Sequence, residues 1–265
     1  MKKLSIITVC LDEATTIEHT LKSVANQKFT DFEFIVIDGG STDGTLDIIN
    51  NYHDQIDVLI SEQDTGIYNA MNKGIKAAKG EYVSFLNAGD YYCNSLVLVN
   101  AFQSTDGEDI IYGDIVAELS NGTHIRKEIP GKLGKLYMTF DTIPHPGTLI
   151  KKNLFEDLGL YNENFRIASD YEFFLKAIFS HNCSYKYIPI PFAVFNLMGV
   201  SQTKKGRKLG LQERKAIHRE HFSKSYMSSI WMKSILYNFL IKYPSFGWFY
   251  LKGRVFPKSL KDVSK

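Results

Sequence analysis

Acidic side chains follow four consecutive segments that have the pattern of buried strands. In chain order they are Asp12 with Glu13, Asp38, Asp64 and Asp90. A single acid at a strand end is common because Asp favours turns and helix caps, but ligands of open parallel sheets bind beyond the carboxyl ends of the strands. Like charges gathered there repel one another unless a cation or a donor-rich ligand joins them. The pattern therefore predicts a ligand with hydroxyl, amide or imide donors, or with phosphates bridged by a divalent metal.

The segments that would position these acids alternate between strand and helix patterns. The predicted strands are Leu4–Cys10, Glu33–Ile37, Val58–Ile60 and Glu81–Leu86. Between them lie an amphipathic helix, for which Thr15 and Glu18 predict a capping box, a short helix after the turn 39–44, and a helix over Tyr68–Lys79 that stops at Gly80. Such alternation indicates βαβ crossovers and an α/β fold with a mostly parallel sheet.

The pattern loosens after residue 100. Residues 109–119 and 124–129 predict a β-hairpin. Asp170–Ser180 is predicted to be a helix, and Tyr185–Phe195 an extended edge segment that contains two prolines. From about Leu209 the chain is predicted to be helical and basic.

The composition is that of a globular chain. The 265 residues are 44% hydrophobic and 23% charged, which is enough for one sizeable core and at most about two domains. Three widely spaced cysteines, Cys10, Cys93 and Cys183, predict buried thiols in a reducing compartment. The apolar run after Met1-Lys2-Lys3 is interpreted as a strand because it is short and meets Asp12-Glu13.

Three common nucleotide and hydrolase motifs are missing from the sequence. Residues 10–14 read Cys-Leu-Asp-Glu-Ala where a dinucleotide-binding enzyme would carry Gly-x-Gly-x-x-Gly. The P-loop motif Gly-x-x-x-x-Gly-Lys-Ser/Thr and the Gly-x-Ser-x-Gly elbow are absent as well. These absences argue against a nicotinamide oxidoreductase, a P-loop nucleotide triphosphatase and an α/β-hydrolase.

Five segments form an ordered set. They read Ser-Ile-Ile-Thr-Val at 5–9, Glu-Phe-Ile-Val-Ile-Asp-Gly-Gly-Ser-Thr-Asp-Gly-Thr at 33–45, Asp-Thr-Gly-Ile-Tyr-Asn-Ala-Met-Asn-Lys-Gly-Ile at 64–75, Gly-Glu-Tyr-Val-Ser-Phe-Leu-Asn-Ala-Gly-Asp at 80–90 and Phe-Arg-Ile-Ala-Ser-Asp-Tyr-Glu at 165–172. Their order and spacing resemble glycosyltransferase family 2 over roughly residues 4–200. The resemblance implies a GT-A fold with a Rossmann-like central sheet flanked by helices, a nucleotide-diphosphate-sugar donor, Mg²⁺ or Mn²⁺, and inversion at the anomeric carbon.

The resemblance also implies roles for the residues that match the family's motifs. Asp38 would accept hydrogen bonds from the nucleobase or ribose, and Thr8 and Glu13 would line the same pocket. Asp64 and Lys73 would belong to the stretch that closes over the nucleotide.

The segment Asn87-Ala88-Gly89-Asp90 occupies the place of the family's metal-binding Asp-x-Asp. Because Asn87 replaces the first acid, Asp90 remains as the carboxylate ligand of the metal, with diphosphate oxygens and waters completing an octahedron. Metal affinity without donor is expected to be weak. The alternative role of Asp90 is a cap of a helix over residues 91–98.

Asp170 matches the family's catalytic base. Removing the proton of an acceptor hydroxyl as it attacks contributes typically about 10²–10⁴-fold in rate. The family usually carries an acid just before this Asp, but Ser169 stands there, so the basicity of Asp170 must come from burial or from substrate. An N-cap of the helix through Ile178 is the alternative, and both roles can coexist.

Four further residues are placed by the resemblance. His145, in Pro-His-Pro-Gly, and Arg166 are expected near the donor sugar or the acceptor, with a structural turn and an ion pair as their alternatives. Lys204 and Lys205 follow Gly199, where relatives place a segment that closes over the diphosphate, and the alternative is a solvated loop. The Gln-x-x-Arg-Trp motif of processive relatives is absent, which favours transfer of a single sugar.

The net charge of +2 hides an uneven distribution of charge along the chain. Residues 201–265 hold 15 Lys and Arg but only 3 Asp and Glu, and the rest of the chain has the opposite balance. Residues 224–256 mix basic groups with bulky aromatic and apolar ones, a composition that suits the interface of an anionic membrane. A hairpin packed on the catalytic body is the alternative. The apolar load argues against nucleic-acid binding.

The sequence therefore predicts an inverting, metal-dependent glycosyltransferase that moves one sugar to a hydroxyl of a lipid-linked or cell-surface glycan. Residues 1–205 would form the catalytic domain, with a nucleotide-sugar half (1–100) and an acceptor half (101–205), and 206–265 a helical extension. The protein is expected to be cytoplasmic and peripheral on the inner face of the cell membrane. Two alternatives remain open: an inactive nucleotide-binding partner, suggested by Asn87 and Ser169, and a nucleotidyltransferase, which would want a basic, Gly-rich loop where Asp12-Glu13 stands.

Overall fold

The first half of the chain is a parallel sheet with helices between its strands. The structure is a computed structural model that describes residues 2–119, 122–196, 199, 201, 203–229 and 261–262. The first elements are β1 (Leu4–Cys10), α1 (Ile17–Ala25), β2 (Phe32–Asp38), α2 (Thr45–Asn50), β3 (Val58–Ser61), α3 (Ile67–Ala77) and β4 (Tyr82–Phe85). The four strands pair in parallel in the order β4-β1-β2-β3. The four predicted strands and the helices between them are confirmed.

The second half extends this sheet with mostly antiparallel pairs. Its elements are β5 (Tyr91–Tyr92), α4 (Val97–Gln103), β6 (Ile110–Glu118), β7 (His124–Lys127), α5 (Lys135–Phe140), β8 (Thr148–Lys151), α6 (Asn153–Leu158), α7 (Ser169–Leu175), β9 (Tyr185–Asn196), α8 (Lys204–His221) and β10 (Lys261–Asp262). β8 pairs with β4, and β6 pairs with β8, β7 and β9. β5 pairs with β9, and β10 with β7. The predicted hairpin is confirmed as β6 and β7.

Both faces of β1 are buried in apolar cores. Ile7 and Val9 belong to the cluster that also contains Met71 of α3, whereas Leu4 and Ile6 belong to the cluster on the other face with helix α1. A strand covered on both faces has no solvent side. This is why the sequence of β1 is a continuous apolar run without alternation.

Gly80 is required by the close approach of two backbone segments. α3 ends at Ala77, with Ala78 as its C-cap, so Gly80 does not end the helix as predicted. A Cβ on Gly80 would lie 2.6 Å from the backbone of Leu4 and of Ser5. The Gly80 N–H donates to Ser5 Oγ at 2.8 Å. The segment before β4 therefore closes directly on β1.

The predicted capping box of α1 is wrong. The helix begins at Ile17, and its N-cap Thr16 makes no side-chain hydrogen bond to the helix. Thr16 Oγ1 instead donates to Glu13 Oε2 at 2.5 Å, and Glu18 forms an ion pair with Lys22 at 2.9 Å. The local pairing of Glu18 with Lys22 within the helix replaces the capping interaction.

The alternative role of Asp90, as the cap of a helix over residues 91–98, is also wrong. Asp90 precedes the short strand β5, in which Tyr91 pairs with Val194 of β9, and α4 begins only at Val97. Tyr91 and Tyr92 are extended because they pair with β9. A helix-capping role for Asp90 is thereby excluded.

Helix α8 crosses the predicted domain boundary between residues 205 and 206. Thr203 caps the helix by accepting the Gly206 N–H at 2.9 Å, and Ile217 of α8 is fully buried in the main core. The domain division stays a prediction. Most of the aromatic segment 224–256 lies outside the described residues. Within the described part of the chain, no helix is long and apolar enough to cross a membrane.

We expect Gly80→Ala to lower the free energy of unfolding by about 1–3 kcal/mol, because the added methyl group meets backbone atoms that have no free space to move into. Chemical denaturation of both proteins measures the change. Gly134→Ala is the control, since a Cβ there meets no atom within 4 Å and its φ is −92°. An equal loss in both variants would contradict the close approach.

Candidate active site

The loops after β1 and β2 are bonded to each other at the carboxyl edge of the sheet. Asp12, at φ 53°, accepts the Thr42 N–H at 2.9 Å, and its own N–H donates to Ser41 Oγ at 2.8 Å. Asp43 accepts the Ala14 N–H at 3.0 Å. These two carboxylates therefore fix the loops relative to each other and to the strand ends.

Asp38 ends β2 and is fully buried. Its carboxylate accepts the N–H groups of Gly40 and Ser41 at 3.2 Å and the hydroxyl of Ser61 at 2.7 Å. A nucleobase or ribose would have to share the carboxylate with these groups. The predicted contact of Asp38 with the nucleotide therefore stays a prediction.

The structure separates the surroundings of Thr8 from those of Glu13. Thr8 is fully buried, and its hydroxyl donates to the Leu86 carbonyl at 2.7 Å, which ties β1 to the chain just after β4. Glu13 is half-buried, and its N–H donates to Thr45 Oγ1 at 2.8 Å. Of the two residues, only Glu13 is partly exposed to solvent, where the loops after β1 and β2 contact each other.

Asp64 and Lys73 stabilise the segment between β3 and α3. Asp64 Oδ1 accepts the Gly66 N–H at 2.8 Å, and the neighbouring Gly39 leaves no room for a Cβ beside Asp64 Oδ2. Lys73 donates to the Gln63 carbonyl at 3.0 Å and pairs with Glu62 at 2.9 Å. Both side chains thus bind the backbone of the segment between β3 and α3, which is predicted to close over the nucleotide.

Asp90 is a buried carboxyl that accepts a backbone N–H. Its Oδ1 accepts the Asn196 N–H at 3.0 Å. Burial raises the pKa of Asp90 to about 7, against the lowering effects of nearby His145 and of the Asn196 N–H. A carboxyl held in this state ionises readily when a cation approaches, because the cation compensates for the lost solvent.

The residues beside Asp90 fit a divalent metal. Asn87 Oδ1 is buried and has no hydrogen-bond partner in the described part of the chain. Amide and carboxylate oxygens are the ligands that Mg²⁺ and Mn²⁺ prefer. Asn87 and Asp90 therefore offer two oxygens of suitable chemistry, and a diphosphate and water would supply the remainder.

A second group of acids and a histidine lies between α7 and α8. Potential ligand atoms of Glu172, Glu220 and His221 all lie within 4.8 Å of one another. Lys176 Nζ lies 3.1 Å from Glu172 Oε1, so this carboxylate already has a cation. The group is not part of the predicted metal site at Asp90.

Asp170 lies in the first turn of α7 and is held by residues from three segments. Its Oδ1 accepts the Tyr68 hydroxyl at 2.9 Å and the Tyr171 N–H at 2.8 Å, whereas Oδ2 contacts His145 Nδ1 at 3.4 Å. The N-cap of α7 is Ala168, so the alternative role of Asp170 as N-cap is wrong. Oδ2, with the longer contact, is the oxygen best placed to receive a proton.

The surroundings keep Asp170 ionised. Burial raises the pKa of Asp170, but the hydrogen bond and charge of His145, together with the hydroxyl of Tyr68 and the N–H of Tyr171, outweigh it and hold the pKa below its usual range. A general base must be ionised before it accepts a proton. Asp170 meets this condition without the neighbouring acid that the family usually carries.

His145 connects Asp170 with residues 87–90, the segment that matches the family's metal-binding motif. Its Nδ1 faces Asp170 Oδ2 at 3.4 Å, and its Nε2 lies 3.0 Å from Asn87 Nδ2. It begins the short 3-10 turn His145–Gly147 that leads into β8. The structure thus brings together three of the predicted site residues through one imidazole ring.

Arg166 contacts the segment between β3 and α3 through its guanidinium. Nη1 donates to the Thr65 carbonyl, and the same nitrogen occupies the space that a Cβ on Gly66 would need. Lys204 and Lys205 lie exposed in the first turn of α8. Their predicted role at a diphosphate stays a prediction.

Two residues that contribute to the site were not singled out from the sequence. Tyr68 lies within residues 64–75, one of the segments that resemble the family. Its contact with Asp170 spans 102 positions and leaves no local signal. Glu213 accepts three backbone N–H groups from the segment before α7. These contacts span 45 to 47 positions, so they leave no local signal either.

Comparison with known proteins identifies the family of this fold and site. The family model for Glycosyl transferase family 2 matches residues 5–164. The PGL/p-HBAD biosynthesis glycosyltransferase of Mycobacterium tuberculosis is 33% identical over 201 residues, which cover 74% of this chain and 77% of that protein. An uncharacterized glycosyltransferase of the same organism is 31% identical over 178 residues, covering 66% and 68%. The chain belongs to glycosyltransferase family 2 and is a glycosyltransferase.

Solved structures confirm the GT-A fold. Staphylococcus aureus TarS 1–349 in complex with UDP-GlcNAc has a TM-score of 0.61 at 23% identity, covering 73% of this chain and 58% of that one. The mannosyltransferase PcManGT of Pyrobaculum calidifontis, in complex with GDP-Man and Mn²⁺, has a TM-score of 0.58 at 19% identity, covering 86% and 64%. The predicted family and fold class are therefore confirmed.

We expect Tyr68→Phe to lower the free energy of unfolding at pH 7 by about 1.5–3 kcal/mol, because a buried carboxylate loses a hydroxyl donor. The folded-state pKa of Asp170 lies below the unfolded value near 3.8, so this stabilisation is present above about pH 4 and is lost as the pH falls below it. Urea denaturation at pH 7 and at about pH 2.5, below the unfolded pKa, measures both effects.

Tyr92→Phe is the matched control for this measurement. Tyr92 is equally buried, but its hydroxyl contacts a neutral group, Ser84 Oγ, at 3.5 Å. Its loss is expected to be smaller and independent of pH in this range. A Tyr68→Phe penalty that is as small as that of Tyr92→Phe at pH 7 would contradict the bond to an ionised Asp170.

Proposed function

We propose that the protein is an inverting, metal-dependent glycosyltransferase that transfers one sugar from a nucleotide diphosphate sugar to a hydroxyl of a lipid-linked or cell-surface polysaccharide precursor. The observation that carries the proposal is the arrangement of Asp170, His145 and Asn87. A buried, ionised carboxylate faces one nitrogen of an imidazole whose other nitrogen contacts the metal-motif segment. A proton acceptor and a diphosphate-binding segment are thereby held at a fixed separation.

The reaction is a single displacement. Asp170 Oδ2 takes the proton of the acceptor hydroxyl while the hydroxyl oxygen forms a bond to the anomeric carbon. The bond between that carbon and the diphosphate oxygen breaks, and the nucleoside diphosphate leaves with its electron pair. Attack from the face opposite to the leaving group inverts the configuration.

The other residues bind and orient. Tyr68 and the Tyr171 N–H fix Oδ1 of Asp170 so that Oδ2 faces the reacting hydroxyl. Asn87 and Asp90 would hold a divalent metal, which neutralises charge on the departing diphosphate as a Lewis acid. Glu13 and the stretch with Asp64 would contact the nucleotide. Lys204 and Lys205 would approach the diphosphate.

Relatives support the donor class and the metal. Two proteins of the same fold are described in complex with UDP-GlcNAc and with GDP-Man and Mn²⁺. A relative at 33% identity is named for PGL/p-HBAD biosynthesis. The basic, aromatic composition of residues 224–256 supports a peripheral position on the inner face of the cell membrane, with the enzyme in the cytoplasm.

We expect Asp170→Asn to lower kcat by about 10²–10⁴-fold, because the amide cannot accept the proton of the acceptor hydroxyl. Transfer or donor hydrolysis measured at saturating nucleotide sugar tests this, with donor binding followed separately by calorimetry. Asp47→Asn, an exposed carboxylate on α2, is the control. A variant with wild-type kcat would refute the assignment of Asp170 as base.

We expect UDP or GDP together with Mn²⁺ to raise Tm more than either does alone, because bound ligand stabilises the folded state by about 2.7 kcal/mol at 100 times Kd. Asp90→Asn should remove the metal-dependent part of the shift, since it removes the carboxylate ligand. Thermal unfolding of both proteins measures this. A shift that needs no metal and survives Asp90→Asn would contradict the metal assignment, and no binding of any nucleoside diphosphate would favour the inactive-partner alternative.

A further inference from the structure

Glu213 is a buried carboxylate that binds consecutive backbone donors. It lies on α8 with 6% of its surface exposed. Oε1 accepts the N–H of Arg166 at 2.8 Å, and Oε2 accepts those of Ile167 and Ala168 at 2.9 and 3.0 Å. The residue lies beyond the segment 5–164 that the family model matches.

These donors belong to the segment that directly precedes α7, the helix that carries Asp170: Arg166 and Ile167 lie before the helix, and Ala168 is its N-cap. The first N–H groups of a helix have no partner within it and carry partial positive charge. The N-cap Ala168 cannot supply a side-chain acceptor, and no side-chain cap is present on α7. Glu213 of α8 instead accepts the N–H of the N-cap residue and those of the two residues before it, through charge-assisted hydrogen bonds.

The charge of Glu213 is compensated by these backbone groups. In the described ranges it forms no ion pair with Lys, Arg or His. A buried carboxylate without a cation is costly unless several donors surround it. The segment 166–168 supplies three N–H donors. These hydrogen bonds stabilise the buried charge of Glu213 and at the same time fix the backbone of the segment.

Further contacts fix α8 against the same segment. The guanidinium of Arg214 lies 4.3 Å from the ring centre of Tyr171, and the hydroxyl of Tyr171 contacts His218 Nε2 at 2.7 Å. A Cβ on Gly210 would lie 3.0 Å from Ile167. The helix therefore contacts the start of α7 on both sides of Asp170 in sequence.

We propose that Glu213 is a positioning residue for the transfer reaction: it anchors the backbone of residues 166–168 and so holds Asp170 in register with Tyr68 and His145. The proposal rests on the proposed role of Asp170 as base. Asp170 lies two residues after the last anchored N–H. If this backbone is released, the Asp170 carboxylate can move away from Tyr68 and His145, because these two partners lie on other elements of the fold.

The experiment compares Glu213→Gln with wild type, Asp170→Asn and the double variant. The glutamine keeps the shape of the side chain but presents an NH₂ group to backbone donors. Hydrolysis of UDP-GlcNAc or GDP-mannose with Mn²⁺ gives kcat, and calorimetry with the corresponding nucleoside diphosphate gives Kd. Glu220→Gln, an exposed acid on the same helix, is the matched control.

We expect Glu213→Gln to lower kcat tenfold or more while Kd for the nucleoside diphosphate changes less than threefold, and Glu220→Gln to change neither. In the Asp170→Asn background the same substitution should have no further effect on kcat, because Glu213 acts through Asp170. A kcat within twofold of wild type, an equal loss in both backgrounds, or a parallel loss of nucleotide binding would each overturn the proposal.

The outcomes separate this proposal from the proposed function. A full loss with Asp170→Asn but none with Glu213→Gln overturns only the role of Glu213. Wild-type kcat for Asp170→Asn overturns both. If Glu213→Gln does not fold, Glu213→Asp replaces it; this variant keeps the charge but shortens the reach, and a kcat as high as that of wild type would overturn the proposal.

Discussion

The site depends on keeping one ionised carboxylate in a place with almost no solvent. Asp170 is buried, and burial alone would raise its pKa. Its ionised form survives because Tyr68 from α3, His145 from the turn before β8 and the N–H of Tyr171 converge on its two oxygens. Each of these groups belongs to a different part of the chain. The fold must therefore place α3, α7 and the entrance to β8 accurately for this carboxylate to stay ionised.

The mixed sheet meets this requirement. β4 pairs in parallel with β1 on one side and antiparallel with β8 on the other, so the segment with Asn87 and Asp90 and the turn with His145 leave neighbouring strands at the same edge. The pairing Ser84↔Leu149 sets their register. The hydrogen bond between Asn87 and His145 follows from this register, since both residues lie within a few positions of the paired strands.

The local parts of this architecture could be predicted from the sequence, whereas its long-range contacts could not. The strands β1 and β2 and the hairpin of β6 and β7 have hydrophobic runs and turn residues that mark them directly. The motif residues Asp90 and Asp170 were found by resemblance. Glu213 was missed because a carboxylate that accepts backbone N–H groups 45 to 47 positions away leaves no pattern in either sequence segment. The capping box at Thr15 and Glu18 failed for the opposite reason: its local pattern is present, but Glu18 bonds to Lys22 instead.

The acids at the strand ends differ in the groups that balance their charge. Asp12, Asp38 and Asp64 accept backbone N–H groups from the loops around them, so these three acids stabilise the crevice wall without a cation. Asp90 differs, because burial outweighs the hydrogen bond from the Asn196 N–H and raises its pKa to about 7. In the proposed function the metal would therefore be held by Asp90 and by Asn87 Oδ1, which has no hydrogen-bond partner among the described residues. Asp12, Asp38 and Asp64 have structural partners, whereas Asp90 is the candidate metal ligand among the acids at the strand ends.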